Sequence, residues 1–416
     1  MKSMATWGSS FAASSTLDAS SRQTAAVVLA GFCAFLDLYA PQPMLPELAR
    51  TFGRTPGQIS QLISISTVAV ALAAPFIGLL GDRWGRKRVI AASALLLAAP
   101  TLLAATATSF GQLMVWRFFV GLFTPGVFAL TVTYINEEWA AGGAGRTMGA
   151  YVSGTVSGGF VGRMLAAFVA GHGDWRMAFV ALGILNAIGG VAIWRWMPVE
   201  QHATRATRGL GRTMLGHLKN SRLLATYAAG FCVLFSLLGV FTYVNFLLAA
   251  SPFHMNSVEL GRVFVVYLAG AAAMPLFGRV IDRLGQRRSF AVGMGVAFVG
   301  VLLTLIPSVP AVLLGLALFC MGIFAGQSAA SSYIGRAATG AKAAAVGLYV
   351  TAYYIGGSFG AAVPGVFWSR YGWTGCVALI ALIELATAAL ALRYWRGEEK
   401  PAEPSEGMLE SAGGEA

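Results

Sequence analysis

The sequence is poor in charged residues, histidine and cysteine. Only 11% of its 416 residues are Asp, Glu, Lys or Arg, whereas about 25% are charged in typical soluble domains, and 57% are hydrophobic. A soluble fold of this length needs a larger polar surface, so the composition predicts a chain whose apolar helices are covered by lipid. The four cysteines and four histidines form no CxxC pair or metal-ligand spacing, which argues against a disulfide framework or a bound metal.

Two kinds of functional motif are also missing. The sequence has no G-x-x-x-x-G-K-[ST] phosphate loop, which argues against an ATP-driven pump. It has no nucleophile, base or metal-ligand cluster at one depth, so we predict neither an enzyme nor a cofactor. The net charge of +12 comes from short Lys and Arg clusters between apolar runs, a pattern that marks membrane topology rather than nucleic-acid binding.

The chain does contain apolar runs of about 20 residues, the length that crosses a bilayer as a helix. They predict an all-α membrane protein with twelve transmembrane helices. We number them spans 1 to 12: Thr24–Pro46, Ile59–Leu80, Val89–Thr108, Phe110–Thr133, Thr147–Gly171, Trp175–Met197, Leu223–Ala249, Val258–Ile281, Ser289–Ile306, Val309–Tyr333, Ala343–Ser369 and Trp373–Trp395.

The distribution of Lys and Arg predicts the orientation in a bacterial cytoplasmic (inner) membrane. With both termini in the cytoplasm, 22 of the 29 basic residues lie on the cytoplasmic side, five lie outside, and Arg117 and Arg163 lie in the membrane. Residues 1–22 and 397–416 are then predicted to be disordered cytoplasmic tails. Residues 198–222 form a cytoplasmic linker between a bundle at 23–197 and a bundle at 223–396.

An internal repeat supports this division. The loop after span 2 matches the loop after span 8 at an offset of 200 residues, and Pro75 and Pro275 share that offset. Span 5 matches span 11 at an offset of 198 residues, which also relates Trp175 to Trp373. Two six-helix bundles repeated in parallel are typical of a secondary transporter whose central site lies between them.

The loop after span 2 resembles the signature loop of the major facilitator superfamily, of form G-x-L-x-D-R-x-G-R-[KR], and the second loop echoes it. The matching residues are Gly78, Asp82, Arg83, Gly85 and Arg86, with Asp282, Arg283 and Gly285 in the echo. The resemblance implies a conformational latch that breaks when the carrier opens inward. We expect the glycines to let helix ends approach closely and Asp82 to pair with basic neighbours or a helix N-terminus. The alternative is that the basic residues only anchor the topology.

Spans 4 and 5 carry two further resemblances. The residues around Arg117 are similar to the L-x-x-x-R-x-x-x-G pattern of proton-driven family members, and Gly154, Gly158 and Gly162 resemble the antiporter motif of drug exporters. Gly159 replaces the proline of that motif and Arg163 replaces its last glycine. With residues 38–46 of span 1, this version resembles the branch named for acriflavine sensitivity, described as putative arabinose or drug efflux proteins, whose members commonly act as monomers. The glycine spacing, with Gly356 and Gly360 in span 11, predicts close helix packing.

The charges inside the membrane are the candidate proton-coupling residues. Asp37, Arg117 and Arg163 are all placed in the outer half of the membrane, where they could meet in one cavity. Our hypothesis is that Asp37 takes up and releases a proton, with the arginines as its partners or as substrate contacts. The alternative is a static ion pair that fixes spans 1, 4 and 5. One acid and two bases would suit a weak acid or other anion. Glu384 in span 12 is either functional or a protonated, lipid-facing residue.

The resulting interpretation is a secondary active transporter, with proton-coupled efflux of a small organic solute or drug by alternating access. Its partners are the solute, protons and lipid. Proton-coupled uptake or facilitated transport of a sugar or organic acid remains open, as does a non-transporting membrane sensor. Candidate residues along the substrate path, which could equally be packing residues, are Tyr39, Gln42, Tyr151, Tyr243, Asn245, Gln327, Tyr353 and Tyr354.

Overall fold

The computed structural model describes residues 5–139, 142–202, 216–338 and 342–395, and the regular structure within these ranges is entirely helical. A short 3-10 helix spans Gln42–Met44. The α-helices are α1 (Ala5–Leu36), α2 (Leu45–Thr51), α3 (Pro56–Ile59), α4 (Gln61–Trp84), α5 (Arg86–Ala104), α6 (Phe110–Glu138), α7 (Ala144–His172), α8 (Trp175–Trp196), α9 (Ser221–Ala249), α10 (Ser257–Val263), α11 (Val266–Leu303), α12 (Val309–Ala337), α13 (Lys342–Ala362) and α14 (Pro364–Tyr394).

Each of the twelve predicted spans overlaps a helix. Helices α11 and α14 are each long enough to contain parts of two predicted spans. A glycine with non-helical geometry separates the two parts: Gly285 in α11 and Gly372 in α14. By length and apolar composition, nine helices among the described residues qualify as membrane-crossing. The chain is therefore a multi-pass membrane protein.

Span 1 differs from the prediction at both ends. Helix α1 begins at Ala5, so residues 5–22 are helical where the sequence analysis predicts a disordered tail. It ends at Leu36, well before Pro46, and a turn leads into the 3-10 helix and α2. Pro41, Pro43 and Pro46 explain the early end, because proline cannot donate a backbone hydrogen bond and disfavours helical geometry in the preceding residue. The predicted C-terminal tail and residues 203–215 of the linker lie outside the described ranges.

Glycines bring the backbones of α7 and α1 into contact. A Cβ atom added at Gly154, Gly158 or Gly162 would lie 1.9 to 2.2 Å from a carbonyl oxygen of α1. The contacted residues, in order, are Val28, Phe32 and Leu36. Only glycine allows this approach, since real side chains do not come so close to a carbonyl oxygen.

The second half repeats this packing between α13 and α9. A Cβ atom at Gly356 would lie 2.0 Å from the carbonyl oxygen of Phe231, and one at Gly360 would lie 2.3 Å from that of Phe235. The repeat in the sequence is thus also a repeat of helix pairs. The two halves use glycine at corresponding positions for the same purpose.

Within the described residues, the hydrogen bonds between the two halves all lie at one end of the molecule, which we call the joined end. They come from the end of span 1, the start of span 2 and residues near α9, α10 and α13. The pairs are Gln42 with Thr242, Ser60 with Tyr243, Ser64 with the Ser358 carbonyl, Thr67 with Ser358, and Glu47 with Ser257. At the same end, a Cβ on Gly365 would lie 2.6 Å from the Cα of Gly57.

Candidate functional site

A cavity of about 350 Å³ lies between the two halves. This volume is at the small end of the ~300–1,000 Å³ range of ligand pockets. The residues that line it come from both halves: Phe35, Tyr39, Phe128, Val132, Tyr151, Thr155, Val156, Gly159, Arg163, Leu234, Leu237, Leu238, Tyr267, Phe324, Gln327, Tyr349, Val350, Tyr353 and Tyr354.

Five of the eight residues proposed for the substrate path line this cavity. They are Tyr39, Tyr151, Gln327, Tyr353 and Tyr354. The hydroxyl of Tyr151 donates to the carbonyl oxygen of Phe128, 3.1 Å away, and is therefore held by the wall itself. Gln327 accepts a hydrogen bond from the Tyr349 hydroxyl at 3.0 Å.

The other three candidates do not line the cavity. The Tyr243 hydroxyl lies 2.9 Å from the Ser60 hydroxyl and donates to the Ala361 carbonyl oxygen at 3.0 Å, so this residue belongs to the joined end. The Asn245 amide donates to the carbonyl of Phe241 in its own helix. Gln42 is fully buried and reaches the site indirectly, through Arg163. Membrane depth alone did not reveal which face of each helix these residues occupy.

Sequence reasoning missed several aromatic wall residues, including Phe35, Tyr267, Phe324 and Tyr349. One signal was available. Tyr349 precedes the predicted Tyr353 by four residues, which places both on one face of a helix, and their rings lie 6.1 Å apart between centroids. Phe35, Tyr267 and Phe324 carry no comparable signal, because apolar residues occur on every face of a membrane helix.

Arg163 is a charged wall residue with well-defined partners. Its Nε donates to the side-chain oxygen of Gln42 at 2.8 Å, and its Nη1 donates to the Gly159 carbonyl at 2.7 Å. The amide of Gln42 in turn donates to Thr242 of the other half at 3.3 Å. The guanidinium also lies 4.8 to 5.1 Å from the centres of three aromatic rings, those of Tyr39, Phe264 and Tyr267. This residue therefore connects the cavity, the end of span 1 and the second half.

Asp37 lies at the point where α1 ends and is only 1% exposed. Its Oδ2 accepts hydrogen bonds from the Thr101 hydroxyl, at 2.6 Å, and from the Asn186 amide. Its Oδ1 has no hydrogen-bond partner among the described residues. The carboxyl group is thus held by two neutral donors from α5 and α8, inside the first half and away from the cavity wall.

Arg117 contacts the backbone beside Asp37 rather than its carboxylate. It donates to the carbonyl oxygens of Asp37, at 3.0 Å, and of Leu38. These residues follow the helix end at Leu36, and the Asp37 oxygen also accepts a turn hydrogen bond from the Ala40 N–H at 3.3 Å. The expected ion pair between the two side chains is not formed in the described part of the chain.

The expectation that Asp37, Arg117 and Arg163 share one cavity is therefore wrong for this structure. The break after Leu36 turns the Asp37 side chain towards Thr101 and Asn186, while Tyr39 and Gln42 continue towards the cavity and Arg163.

Glu384 is buried inside the second half. It is 1% exposed, which excludes the lipid-facing alternative for this structure, and neither carboxyl oxygen has a hydrogen-bond partner among the described residues.

The predicted latch in the first half forms a compact charged cluster. Arg86 pairs with Asp82 at 2.5 Å and with Glu137 at 2.9 Å, and its backbone N–H donates to Glu200 at 2.7 Å. Gly85 has a φ of 91°, a left-handed conformation that favours glycine and lets α5 begin at the next residue. Arg83 is exposed.

The second copy of the latch differs from the first. Gly285 has a φ of 73°, like its counterpart Gly85, but Asp282 and Arg283 are exposed. The expected close approach at Gly78 is absent, since a Cβ there would meet no atom within 4 Å. Gly81 has that role instead, because its Cβ would lie 2.7 Å from Leu130.

Two repeated helical halves around a central cavity define a membrane transporter. Residues 27–267 and 231–412 match the model of the Major Facilitator Superfamily, and the chain belongs to this family. It is 35% identical over 379 residues to the inner membrane transport protein YnfM of Escherichia coli (strain K12), covering 90% of this chain and 91% of that protein. It is 32% identical over 381 residues to the uncharacterized MFS-type transporter YybF of Bacillus subtilis (strain 168), covering 91% and 94%.

Solved structures share the fold at low sequence identity. The nucleoside transporter NupG aligns with a TM-score of 0.72 at 16% identity, covering 90% of this chain and 100% of that one. A bacterial homologue of the human lysosomal transporter Spinster, in an inward-facing and occupied conformation, aligns with a TM-score of 0.74 at 15% identity, covering 91% and 98%. These likenesses show the fold alone.

Proposed function

We propose that this transporter is a proton-coupled exporter of small organic solutes, in which Asp37 carries the proton. The observation that supports this most strongly is the environment of its carboxyl group. Asp37 is buried at membrane depth, bonded to two neutral donors, and has one oxygen without a partner among the described residues. A buried carboxyl group without an ion pair is a natural site for reversible protonation.

The chain after Asp37 offers a physical route from the proton to the solute. Tyr39 lines the cavity, and Gln42 holds Arg163 at its wall. Arg117 fixes the carbonyl groups of residues 37 and 38. Protonation of Asp37 and binding of a solute therefore act on the same short segment, residues 37–42. When two ligands each shift the conformational equilibrium of the same segment, the binding of one changes the affinity for the other.

The proposed orientation in the membrane rests on the distribution of basic residues. It places both termini in the cytoplasm and the joined end on the outer side, so the conformation is inward-facing. The bacterial inner membrane is the proposed location, which the name of the relative YnfM supports. In the alternating cycle, the latch residues Asp82, Arg86, Asp282 and Arg283 would meet neighbours of the opposite half when the inner end closes. We propose that one chain completes this cycle as a monomer.

The test is transport by proteoliposomes that carry a pH-sensitive dye inside and an imposed pH gradient. Wild type and Asp37→Asn are compared for movement of cationic dyes, weak acids and sugars. We expect at least one solute to move protons in the opposite direction in the wild type, and Asp37→Asn to lose this coupling. Movement of proton and solute in the same direction would favour uptake. Solute movement without proton flux in either protein would make the chain a facilitator, and no movement would favour a sensor.

A further inference from the structure

The cavity wall has a single sign of charge. Of its nineteen residues, only Arg163 carries a formal charge, and the wall contains no aspartate or glutamate. The two buried acids do not line the cavity. Asp37 accepts hydrogen bonds from Thr101 and Asn186, and Glu384 is buried inside the second half. The cavity is therefore a positively charged compartment at membrane depth.

The charge of Arg163 is not neutralised by its contacts. Its Nε and Nη1 donate to an amide and a backbone carbonyl, and it forms no ion pair among the described residues. Its Nη2 makes no hydrogen bond within that part of the chain, although the residue is only 3% exposed. A buried cation without a counter-ion is costly, so an anion that enters the cavity is stabilised by the removal of that cost.

A second polar group near Arg163 also lacks a partner. The Tyr267 hydroxyl is buried with no hydrogen-bond partner among the described residues. The centre of its ring lies 4.8 Å from the guanidinium carbon of Arg163. Two wall residues in contact, Arg163 and Tyr267, thus each carry a donor without a partner among the described residues, and an acid group has two oxygens that can accept from both.

The rest of the wall is uncharged and largely aromatic. Nine of the nineteen wall residues are Phe or Tyr, and six more are Leu or Val, so flat apolar groups have extensive contact surface. Two aromatic residues, Phe128 and Tyr354, come from opposite halves and lie 5.6 Å apart between ring centres. A solute placed there contacts both halves, as alternating access requires.

We propose that the transported solute is an organic anion with an acid group on a flat, mainly aromatic body. The acid group binds Arg163 and the Tyr267 hydroxyl, and the body packs between the aromatic rings. This inference rests on the proposed transport function and specifies its substrate class. Cationic drugs are repelled by Arg163, and sugars would leave many hydroxyl groups unsatisfied against a wall in which fifteen of nineteen residues are aromatic, Leu or Val.

The test is binding of three matched compounds to the purified protein in detergent: naphthoate, the neutral naphthamide and the cationic naphthylmethylamine. The wild type is expected to bind naphthoate at least about tenfold more tightly than the other two. Arg163→Gln should remove this preference. Arg370→Gln is the matched control, because it makes the same charge change at an exposed residue of α14 that does not line the cavity.

A gentler variant guards against loss of folding in Arg163→Gln. Tyr267→Phe removes only the hydroxyl group, and we expect it to weaken naphthoate binding by about threefold while naphthamide binding stays unchanged. Equal binding of the three compounds, no naphthoate binding up to about 1 mM, or an anion preference that survives Arg163→Gln would overturn the proposal. Binding in detergent needs no proton gradient, so these results are separate from the flux test of Asp37.

Discussion

Among the described residues, each half buries one carboxylate residue, and the surroundings of the two differ. Asp37 in the first half has donors from Thr101 and Asn186, whereas Glu384 in the second half has no partner among the described residues. The offset of 198 residues that relates span 5 to span 11 also relates Asn186 to Glu384. The carboxyl group thus lies on the first helix of one half and on the last helix of the other.

The backbone differs in the same place. Helix α1 stops at Leu36 beside Asp37, whereas the corresponding helix α9 runs unbroken from Ser221 to Ala249. Only the first half therefore combines a buried acid, a helix end and carbonyl groups held by an arginine. The halves thus share helix packing but differ around the buried acid, and for this reason we assign the proposed proton coupling to the first half.

The loops at the opposite end from the joined end differ as well. In the first half, Arg86 pairs with Glu137. In the second half, Gln286 takes the place of Arg86, and it accepts a hydrogen bond from Arg336 at 2.9 Å. In the second half, this contact between the two helix ends is a hydrogen bond to a neutral side chain. Its links should therefore be weaker.

The largest expected effect tests what the halves have in common. Gly162→Ala and Gly360→Ala place a Cβ against the carbonyl oxygens of Leu36 and Phe235. Each should lower the stability by about 3 kcal/mol or more, as overpacking of a tight contact does. Thermal unfolding in detergent measures this. Gly149→Ala is the control, because its Cβ meets no atom within 4 Å, and it should change stability by less than about 1 kcal/mol. If only one of the two substitutions is tolerated, the two halves do not depend on glycine packing in the same way.

The second prediction contrasts the latch loops. Arg86→Gln leaves Asp82 and Glu137 without their shared cation, and removal of one partner from such a buried pair costs about 3 kcal/mol. Gln286→Ala, in the exposed copy, should cost less than about 1 kcal/mol, since it removes neutral or exposed hydrogen bonds. Thermal unfolding of the two variants gives the comparison, and equal losses would contradict the assigned difference.

The third prediction has opposite signs in the two halves. Asn186→Leu removes a donor from the buried Asp37 and should destabilise the protein by about 2 kcal/mol. Glu384→Leu replaces a carboxyl group without partners by an apolar side chain of similar size, and should be neutral or stabilising by about 1 kcal/mol. Unfolding midpoints of both variants are measured together. Destabilisation by Glu384→Leu would indicate a partner for Glu384 outside the described residues.

The smallest expected effect concerns pH at the joined end. Burial raises the pKa of Glu47, and Asp174 adds to the increase, while the Ser257 hydrogen bond and Arg50 oppose it. A conformation that raises this pKa binds the proton more tightly than one that leaves Glu47 in water. The joined state should therefore gain stability as the pH falls through the raised pKa and lose it as the pH rises.

Spin labels at positions 54 and 370 would report this change as a shorter distance between the halves at lower pH. Both positions are exposed and belong to different halves. Glu47→Gln should remove most of the pH dependence. If the distance between the labels still changes with pH in this variant, another titrating group causes the change.

Sequence patterns predicted the architecture well because each element has a local signal. Apolar runs identified the helices, and glycine spacing identified the faces that pack in both halves. Five cavity residues were also found among the polar and aromatic candidates. The break after Leu36 was missed, although Pro41, Pro43 and Pro46 marked it, because the apolar run continues through the prolines.

The arrangement of the charges could not be predicted from depth in the membrane. Asp37 and Arg163 were placed at similar depths, but depth does not give the direction of a side chain once a helix ends. The buried position of Glu384 was similarly inaccessible, since burial against a neighbouring helix depends on tertiary packing. Gln42 acts through Arg163, a connection that only the folded structure reveals.

The central proposal is that Asp37, rather than the other buried carboxylate residue Glu384, carries the transported proton. The most direct measurement is the proton flux per transported solute in proteoliposomes of wild type, Asp37→Asn and Glu384→Gln, with equal amounts of folded protein. The account predicts coupled proton flux in the wild type and Glu384→Gln and its loss in Asp37→Asn. Retained coupling in Asp37→Asn, with loss in Glu384→Gln, would contradict it.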